Sequence, residues 1–382
     1  MKRLFAGFAF LCVFALQTCF AGTSYVIATH DDPSDTNASV YVLNTANGDL
    51  TLVKELETGG EGLGGGSFYL ITQAVTQTAA CFFVMDTGSS DIAAFSKATG
   101  YRKVGNYSNS ALNSDYVGGS IVVTPNGKWL YGAYSASQNV GAWRVNSDCS
   151  LTFVAAYVPS VGPDLYSALG VTQNGLALIV PAPDYEAAEA FRINASGTLS
   201  DVGFVSWTSN STCESVACYP SGVDITKDGK VAVFGDLTLG TPEVLTANLT
   251  SKGLTNPQVW ELSNPVNVGG QGVPFFSAAG YSGSGYLYVG ISGFDPELPG
   301  VTTANFTESP LNLKVANTTV VNSPSMLDGA IAATGKTMVI AEPPNVIGVF
   351  RINADGSITP LTTTSVGNGN SLVSLSIYPN TR

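Results

Sequence analysis

The chain has 382 residues, 45% hydrophobic and only 12% charged, with 16 Lys and Arg against 28 Asp and Glu for a formal net charge of −12. That acidic balance excludes nucleic acid and anionic membrane surfaces as expected partners, because both repel an acidic face. Sparse charge beside abundant Ser, Thr, Asn and Gly fits an exported β-protein, and the length alone would allow two or three domains.

The N-terminus reads as a secretory leader. Lys2-Arg3 precedes an apolar run from Leu4 to Leu16, and small residues allow cleavage after Ala21. Residues 1–21 are thus expected to be removed, and residues 22–382 to form one domain in the periplasm or outside the cell. No later apolar run is long enough to cross a bilayer as a helix.

After the leader come Tyr25 to His30, Ser39 to Leu43 and Leu50 to Glu55, three short strands rich in β-branched and aromatic residues. The glycine-rich stretch Gly59 to Gly66 lacks the Lys-Ser/Thr of a phosphate-binding loop and reads as a connector. A second group of strands runs from Phe68 to about Tyr107. From Val117 to Tyr157 the unit is complete: Gly118 to Val123, the turn Thr124-Pro125-Asn126-Gly127, Trp129 to Tyr134, Val140 to Val145 and Leu151 to Tyr157. Four antiparallel strands in a meander expose two apolar faces, so such a unit must stack on copies of itself.

The copies come at Ser167 to Ser206, Ser221 to about Leu262, Phe275 onward, and Leu327 to Thr364. Their closing turn recurs from Asn44-Thr45-Ala46-Asn47-Gly48 to Asn353-Ala354-Asp355-Gly356, six steps of about 51 residues, which suits a four-stranded blade. The sixth unit is the least regular: Phe275 to Gly280 and Tyr286 to Ser292 read as strands, whereas Pro296, Pro299 and Pro310 interrupt its later strands. The first unit lacks its first strand, and Ser371 to Asn380 carries the pattern of one. The expectation is an all-β, seven-bladed β-propeller of four-stranded antiparallel blades, nearly free of helix and closed by the C-terminal strand.

Four cysteines remain after the leader. An even count in an exported chain favours disulfides, and the short spacing of Cys213 and Cys218 makes that pair the expected bridge. Cys81 and Cys149 are left as either free or paired, with a zinc site the weaker reading.

Tyr25-Val26-Ile27-Ala28-Thr29-His30, followed by Val40-Tyr41-Val42-Leu43-Asn44 and Gly48-Asp49-Leu50-Thr51-Leu52, resembles the opening of the seven-bladed lactonase family. These are the propellers related to 6-phosphogluconolactonase and to the fungal muconate-cyclising enzyme. The turns Asn126-Gly127-Lys128 and Asp228-Gly229-Lys230 extend the likeness along nearly the whole mature chain. It implies a hydrolase of sugar-type lactones, with His, Arg and Glu side chains at the mouth of a central funnel.

Aligning the second strands puts His30, Asp86, Tyr134, Ala182, Asp236, Ser292 and Glu342 at one place, the strand end facing the funnel loops. His30, Asp86 and Glu342 are the candidate catalytic residues, with His30 as general base. Tyr134, Asp236, Ser292 and Asp328 are the candidate substrate-binding residues, and Tyr116, Tyr166, Tyr185 and Phe294 lie near enough to stack on a sugar. Asp31, Asp32, Asp115, Asp164, Asp184, Glu186 and Asp295 make the same face acidic, while Lys97, Lys128, Lys227, Lys230, Lys252 and Lys336 fall on the opposite one. Crowded carboxylates at the mouth would raise one another's pKa values.

Arg144, Arg192 and Arg351 share a repeat position toward the outer turn, so a phosphate group has no evident anchor and a non-phosphorylated lactone is expected. No cofactor or metal is called for, although hard oxygen ligands at the mouth would suit calcium. The expected partner is a small-molecule lactone or a carbohydrate, and the expected state a monomer. The alternative is a non-catalytic extracellular propeller that binds a protein or carbohydrate.

Overall fold

A computed structural model describes residues 23–30, 36–63, 73–112, 118–163, 168–213, 217–236, 243–262, 272–276, 284–291, 300–308, 311–320, 328–332, 334–342, 345–366 and 372–379. They form twenty-eight strands. Blade one holds β1 (Thr23–His30), β2 (Asn37–Asn44) and β3 (Leu50–Glu57); blade two holds β4 (Val75–Gln77), β5 (Cys81–Asp86), β6 (Asp91–Ser96) and β7 (Arg102–Tyr107). Blade three comprises β8 (Gly118–Val123), β9 (Trp129–Tyr134), β10 (Asn139–Val145) and β11 (Leu151–Tyr157). Blade four comprises β12 (Gly170–Val171), β13 (Ala177–Ala182), β14 (Ala187–Ile193) and β15 (Leu199–Ser206). Blade five contains β16 (Pro220–Ile225), β17 (Val231–Asp236), β18 (Glu243–Thr250) and β19 (Gly253–Glu261). Blade six contains β20 (Gly272–Phe276), β21 (Ser284–Ile291), β22 (Gly300–Glu308) and β23 (Leu311–Val320). Blade seven has β24 (Asp328–Ile331), β25 (Thr337–Glu342), β26 (Val346–Ile352) and β27 (Ile358–Ser365), and β28 (Leu372–Tyr378) is the last described strand.

Each blade is a four-stranded antiparallel sheet, and the first has the order β28-β1-β2-β3. Tyr378 pairs with Tyr25 and Ile377 with Val26, so the C-terminal strand completes blade one and removes its open edge. The innermost strands neighbour one another from β28 through β4, β8, β12, β16, β20 and β24 back to β28, which closes the ring. Blade six departs from the sequence expectation. Its first strand is Gly272–Phe276, which shares Phe275 and Phe276 with the expected strand, whose remaining residues to Gly280 lie outside the described ones; its two outer strands pair from Gly300↔Val320 to Glu308↔Leu311 with one bulge at Thr303/Ala304. Pro296, Pro299 and Pro310, expected to interrupt these strands, lie outside the described residues.

The core is a set of seven seams, one between each pair of blades. In β5, Phe82 and Val84 pack with Ile27 and Val40 of blade one, whereas Phe83 and Met85 pack with Ile121 and Leu130 of blade three. Period-two alternation therefore sends successive side chains into successive seams, and every residue of β5, β17 and β25 is buried. A bulge recurs between the third and fourth strands of all seven blades, as at Ala94/Phe95 and Val349/Phe350, and adds twist where the blade widens.

Turns tie the blades together. Gly197 and Gly356, at φ of 81° and 79°, close the outer turns of blades four and seven. Their carbonyls accept hydrogen bonds from Tyr131 and Tyr288 of the preceding blades, each at 3.0 Å. A Cβ at either glycine would strike Trp129 or Tyr286 of that same blade, so glycine serves both the left-handed backbone and the close approach. Both cysteine pairs are disulfides: Cys213 to Cys218 within one loop, and Cys81 to Cys149 between blades two and three. Among the described residues the only helical element is the 3₁₀ turn Pro183–Tyr185, and no helix is long and apolar enough to cross a membrane.

Candidate active site

His30, Asp86, Tyr134, Asp236 and Glu342 each end the second strand of their blade, on the face that carries the turns into the third strands. Which way each points is set by the seams. Ala28, two residues before His30, packs with Val339 and Ala341, so His30 lies on the face of β1 that meets blade seven. Val84, two before Asp86, packs with Ile27 and Val40, so Asp86 meets blade one. Ile340, two before Glu342, packs with Tyr288 and Val301, so Glu342 meets blade six. One candidate therefore occupies each of three consecutive seams around blades seven and one, each turned toward the blade before its own.

All three are buried, none more than 4% exposed. His30 folds back along its own blade, with Nε2 3.4 Å from Ser39 Oγ. Ser39 also hydrogen-bonds Tyr41, whose hydroxyl is pushed up to about 12, chiefly by burial. The Asp86 carboxylate lies beneath Gly60 of the loop leaving blade one, where a Cβ would overlap it, and accepts from Asn106 Nδ2 at 3.4 Å. Glu342 lies over Gly348 of the adjacent strand, close enough that any larger residue there would displace its carboxyl. Its Oε1 is buried with no hydrogen-bond partner among the described residues, and burial raises its pKa to about 7. Desolvation produces that shift, where the sequence suggested crowding by other acids.

The register explains how such groups fit. The residue opposite the position two before the strand end is small in four blades: Ser39 across from Ala28, Ala93 from Val84, Gly141 from Gly132 and Gly348 from Ile340. Blade four reverses the arrangement. Its strand end is Ala182, and Glu189 on β14, opposite Val180, fills the space from the third strand. Glu189 is 1% exposed, accepts the Val161 N–H at 3.0 Å, and has a raised pKa, first from desolvation and secondarily from Asp201. Sequence reading by second-strand alignment missed it, although a lone acid within Ala187-Ala188-Glu189-Ala190-Phe191 was a visible signal.

The remaining candidates take varied places. Tyr134 packs in the seam of blades two and three with Met85, Ile121 and Trp143, 1% exposed, and burial raises its pKa. Asp236 is 3% exposed and accepts the Tyr219 N–H at 2.7 Å. Asp328 opens β24, opposite Ala341 and one pair from Glu342. Ser292 lies outside the described residues, as do Asp31, Asp32, Asp115, Asp164 and Asp295; β21 ends at Ile291, paired with Gly300. Tyr116, Tyr166 and Phe294 also lie outside them. Among the described residues no three His, Cys, Asp or Glu side chains gather as metal ligands.

Arg102, Arg144, Arg192 and Arg351 are all exposed, and Arg144 and Arg192 donate hydrogen bonds to Asn146 Oδ1 and the Ser251 carbonyl. They lie at the starts of outer strands or the ends of third strands, away from the candidate face. Chemically, the face thus offers a buried imidazole, a carboxylate and a carboxylic acid that titrates near neutrality, with no guanidinium beside them among the described residues.

No protein-family model matches this sequence, and no curated protein does. Solved structures do. A periplasmic gluconolactonase of Pseudomonas aeruginosa superimposes with a TM-score of 0.70 at 16% identity, over 93% of this chain and 99% of that one. A Bacteroides fragilis protein described provisionally as a 6-phosphogluconolactonase gives 0.69 at 16% identity over 94% and 98%. A Lactobacillus plantarum protein gives 0.71 at 12% identity over 93% and 98%. Likeness at this level of identity carries architecture and not activity: the chain has the seven-bladed propeller fold that it shares, over almost its entire length, with a periplasmic gluconolactonase.

Proposed function

We propose that this protein is an exported hydrolase of a neutral, sugar-type lactone. The observation that carries this reading is Glu342, a buried carboxyl with one oxygen unpartnered among the described residues and a pKa near 7, at the strand end of a fold shared with a gluconolactonase. A group that titrates near the working pH is suited to move protons in both directions. Lactone hydrolysis needs water deprotonated as it adds to the carbonyl carbon, and a proton delivered to the ring oxygen as the C–O bond breaks. His30 is the base in this reading and Glu342 the acid, which requires the lactone to reach both across blade seven, and Asp86 is a third candidate that the variants below test. The neutral substrate is inferred from the arginines, since none described lies on the candidate face. Export is supported by the leader and by two disulfides, which persist in oxidising compartments.

The test is hydrolysis of D-glucono-1,5-lactone, beside its 6-phosphate, by the mature protein and by His30→Ala, Asp86→Ala and Glu342→Gln. Loss of one catalytic proton-transfer group should lower kcat by about 10²- to 10⁴-fold, with the unphosphorylated lactone preferred. Rates unchanged in all three variants would remove these residues from the reaction. A second reading, a non-catalytic carbohydrate binder, is favoured by the separate seams of the three residues, and inactivity of the wild type on both lactones would select it.

A further inference from the structure

Across the mouth from those three seams, over blades three to five, two tyrosine rings stand in solvent on a rigid frame. Tyr185 is 45% exposed and Tyr219 37% exposed. Tyr185 ends the 3₁₀ turn of blade four, and its hydroxyl donates to Gln138 Oε1 of blade three at 3.4 Å. The next residue, Glu186, takes a left-handed conformation at φ 48°. Its carbonyl accepts the Trp207 N–H at 2.9 Å, and its Oε2 accepts the backbone N–H of Cys218 at 3.3 Å. Cys218 is bonded to Cys213, and the Tyr219 N–H is held by buried Asp236 at 2.7 Å.

Tyr185 thus precedes, and Tyr219 comes directly after, the two residues of a single carboxylate–amide hydrogen bond. The segment bearing Tyr219 is fixed by a disulfide, by blade four through Glu186 and by blade five through Asp236. Aromatic surface is ordinarily buried in a core. Held exposed by these tethers, it binds without paying for the ordering of a loop, which is what makes preorganised tyrosines effective contact residues. Tyrosine presents a flat apolar face with a polar edge, and exposed Asp184 and half-buried Gln138 add hydrogen-bonding groups beside it. The segments 135–138, 183–187, 206–213 and 217–221 contain no Lys or Arg, so nothing on this edge attracts an anion. A face of C–H groups ringed by hydroxyls is the complement: the C–H face lies on the aromatic rings and the hydroxyls reach the carboxylate and amide.

We propose that Tyr185 and Tyr219 form a stacking edge for a neutral pyranose ring. The edge shares with the hydrolase reading only the premise that this face receives the ligand, and it requires no hydrolysis.

The experiment measures binding of methyl β-D-glucopyranoside and of cellotetraose to the mature protein by calorimetry and saturation-transfer NMR. The first probe represents a free monosaccharide and the second a glycan. The double variant Tyr185→Ala/Tyr219→Ala should weaken binding by about tenfold or more, as expected for losing two aromatic contacts. Tyr185→Phe and Tyr219→Phe keep the rings and should keep most of the affinity. Phe204→Ala, which removes an exposed aromatic on the outer strand of blade four, should change nothing. Thermal melting of each variant separates lost contacts from lost folding. No binding of either saccharide by the wild type would overturn the proposal, as would equal affinity in the double alanine variant or an equal loss in Phe204→Ala. Glu342→Gln distinguishes the two readings: saccharide binding retained with hydrolysis unchanged would sink the hydrolase mechanism and leave the stacking edge standing.

Discussion

At the scale of single residues, two ionisable groups, buried Glu342 and half-buried Lys97, set opposite pH dependences. Glu342 has its pKa raised by burial from 4.5 to about 7, so between those values the folded state holds a proton that the unfolded chain releases. Its contribution is present below pH 4.5 and lost as pH rises through 7. Glu342→Gln should flatten the stability profile over that window, read as denaturant midpoints at pH 4.5, 6 and 7.5; an unchanged profile would mean that the carboxyl is solvated. Lys97 is the converse. Its Nζ donates to Gln77 Oε1 at 2.6 Å and the Thr78 carbonyl at 2.7 Å, and lies 4.9 Å from the centre of the Tyr378 ring. Burial lowers its pKa to about 7, so the unfolded chain binds the extra proton and stability should rise with pH from 7 toward 10. Lys97→Met should abolish that rise, while leaving two acceptors unsatisfied at every pH.

At the scale of elements, the two disulfides act differently. Cys213 and Cys218 close a loop five residues apart, whereas Cys81 and Cys149 span 68 residues and join the start of β5 to the outer turn of blade three. Chain entropy makes the longer closure worth more in the unfolded state, so Cys81→Ser/Cys149→Ser should cost on the order of 4 kcal/mol and Cys213→Ser/Cys218→Ser less. Guanidinium unfolding of both double variants gives the comparison, and a greater loss from the short loop would contradict it. The short bridge acts instead on the mouth, since it fixes the segment that carries Tyr219.

At the scale of the whole molecule, stability depends on closing the ring. Each seam needs both of its blades, and the first sheet gains its inner strand only from β28, whose Leu372, Leu375 and Ile377 are buried with Val26, Ala28 and Val339. Deleting residues 371–382 exposes that seam and an unpaired edge together. The truncated protein should melt well below the full chain and aggregate on heating; equal melting temperatures would show that the closure contributes little.

Much of this architecture was legible in the sequence because a propeller is a local code repeated. Alternating strands, glycine turns and a period near 51 residues are short-range signals, and Ser371 to Asn380 showed a first strand with no blade of its own. Cys213 and Cys218 were equally readable, being close in the chain. Alignment of second strands placed His30, Asp86 and Glu342 at equivalent strand ends because position along a strand is also local. What it could not decide was which seam each side chain enters, since that depends on the blade packed against it. Tyr134 shares their strand position yet lies in the core against Met85 and Trp143. Glu189 reaches an equivalent space from another strand, because Ala182 leaves it open. The pairing of Cys81 with Cys149, the neutral-range pKa values of Glu342 and Lys97, and the frame beneath Tyr219 likewise arise from groups far apart in the chain. Burial and long-range contact shift proton affinities and fix rings in place, and neither exists until the blades close.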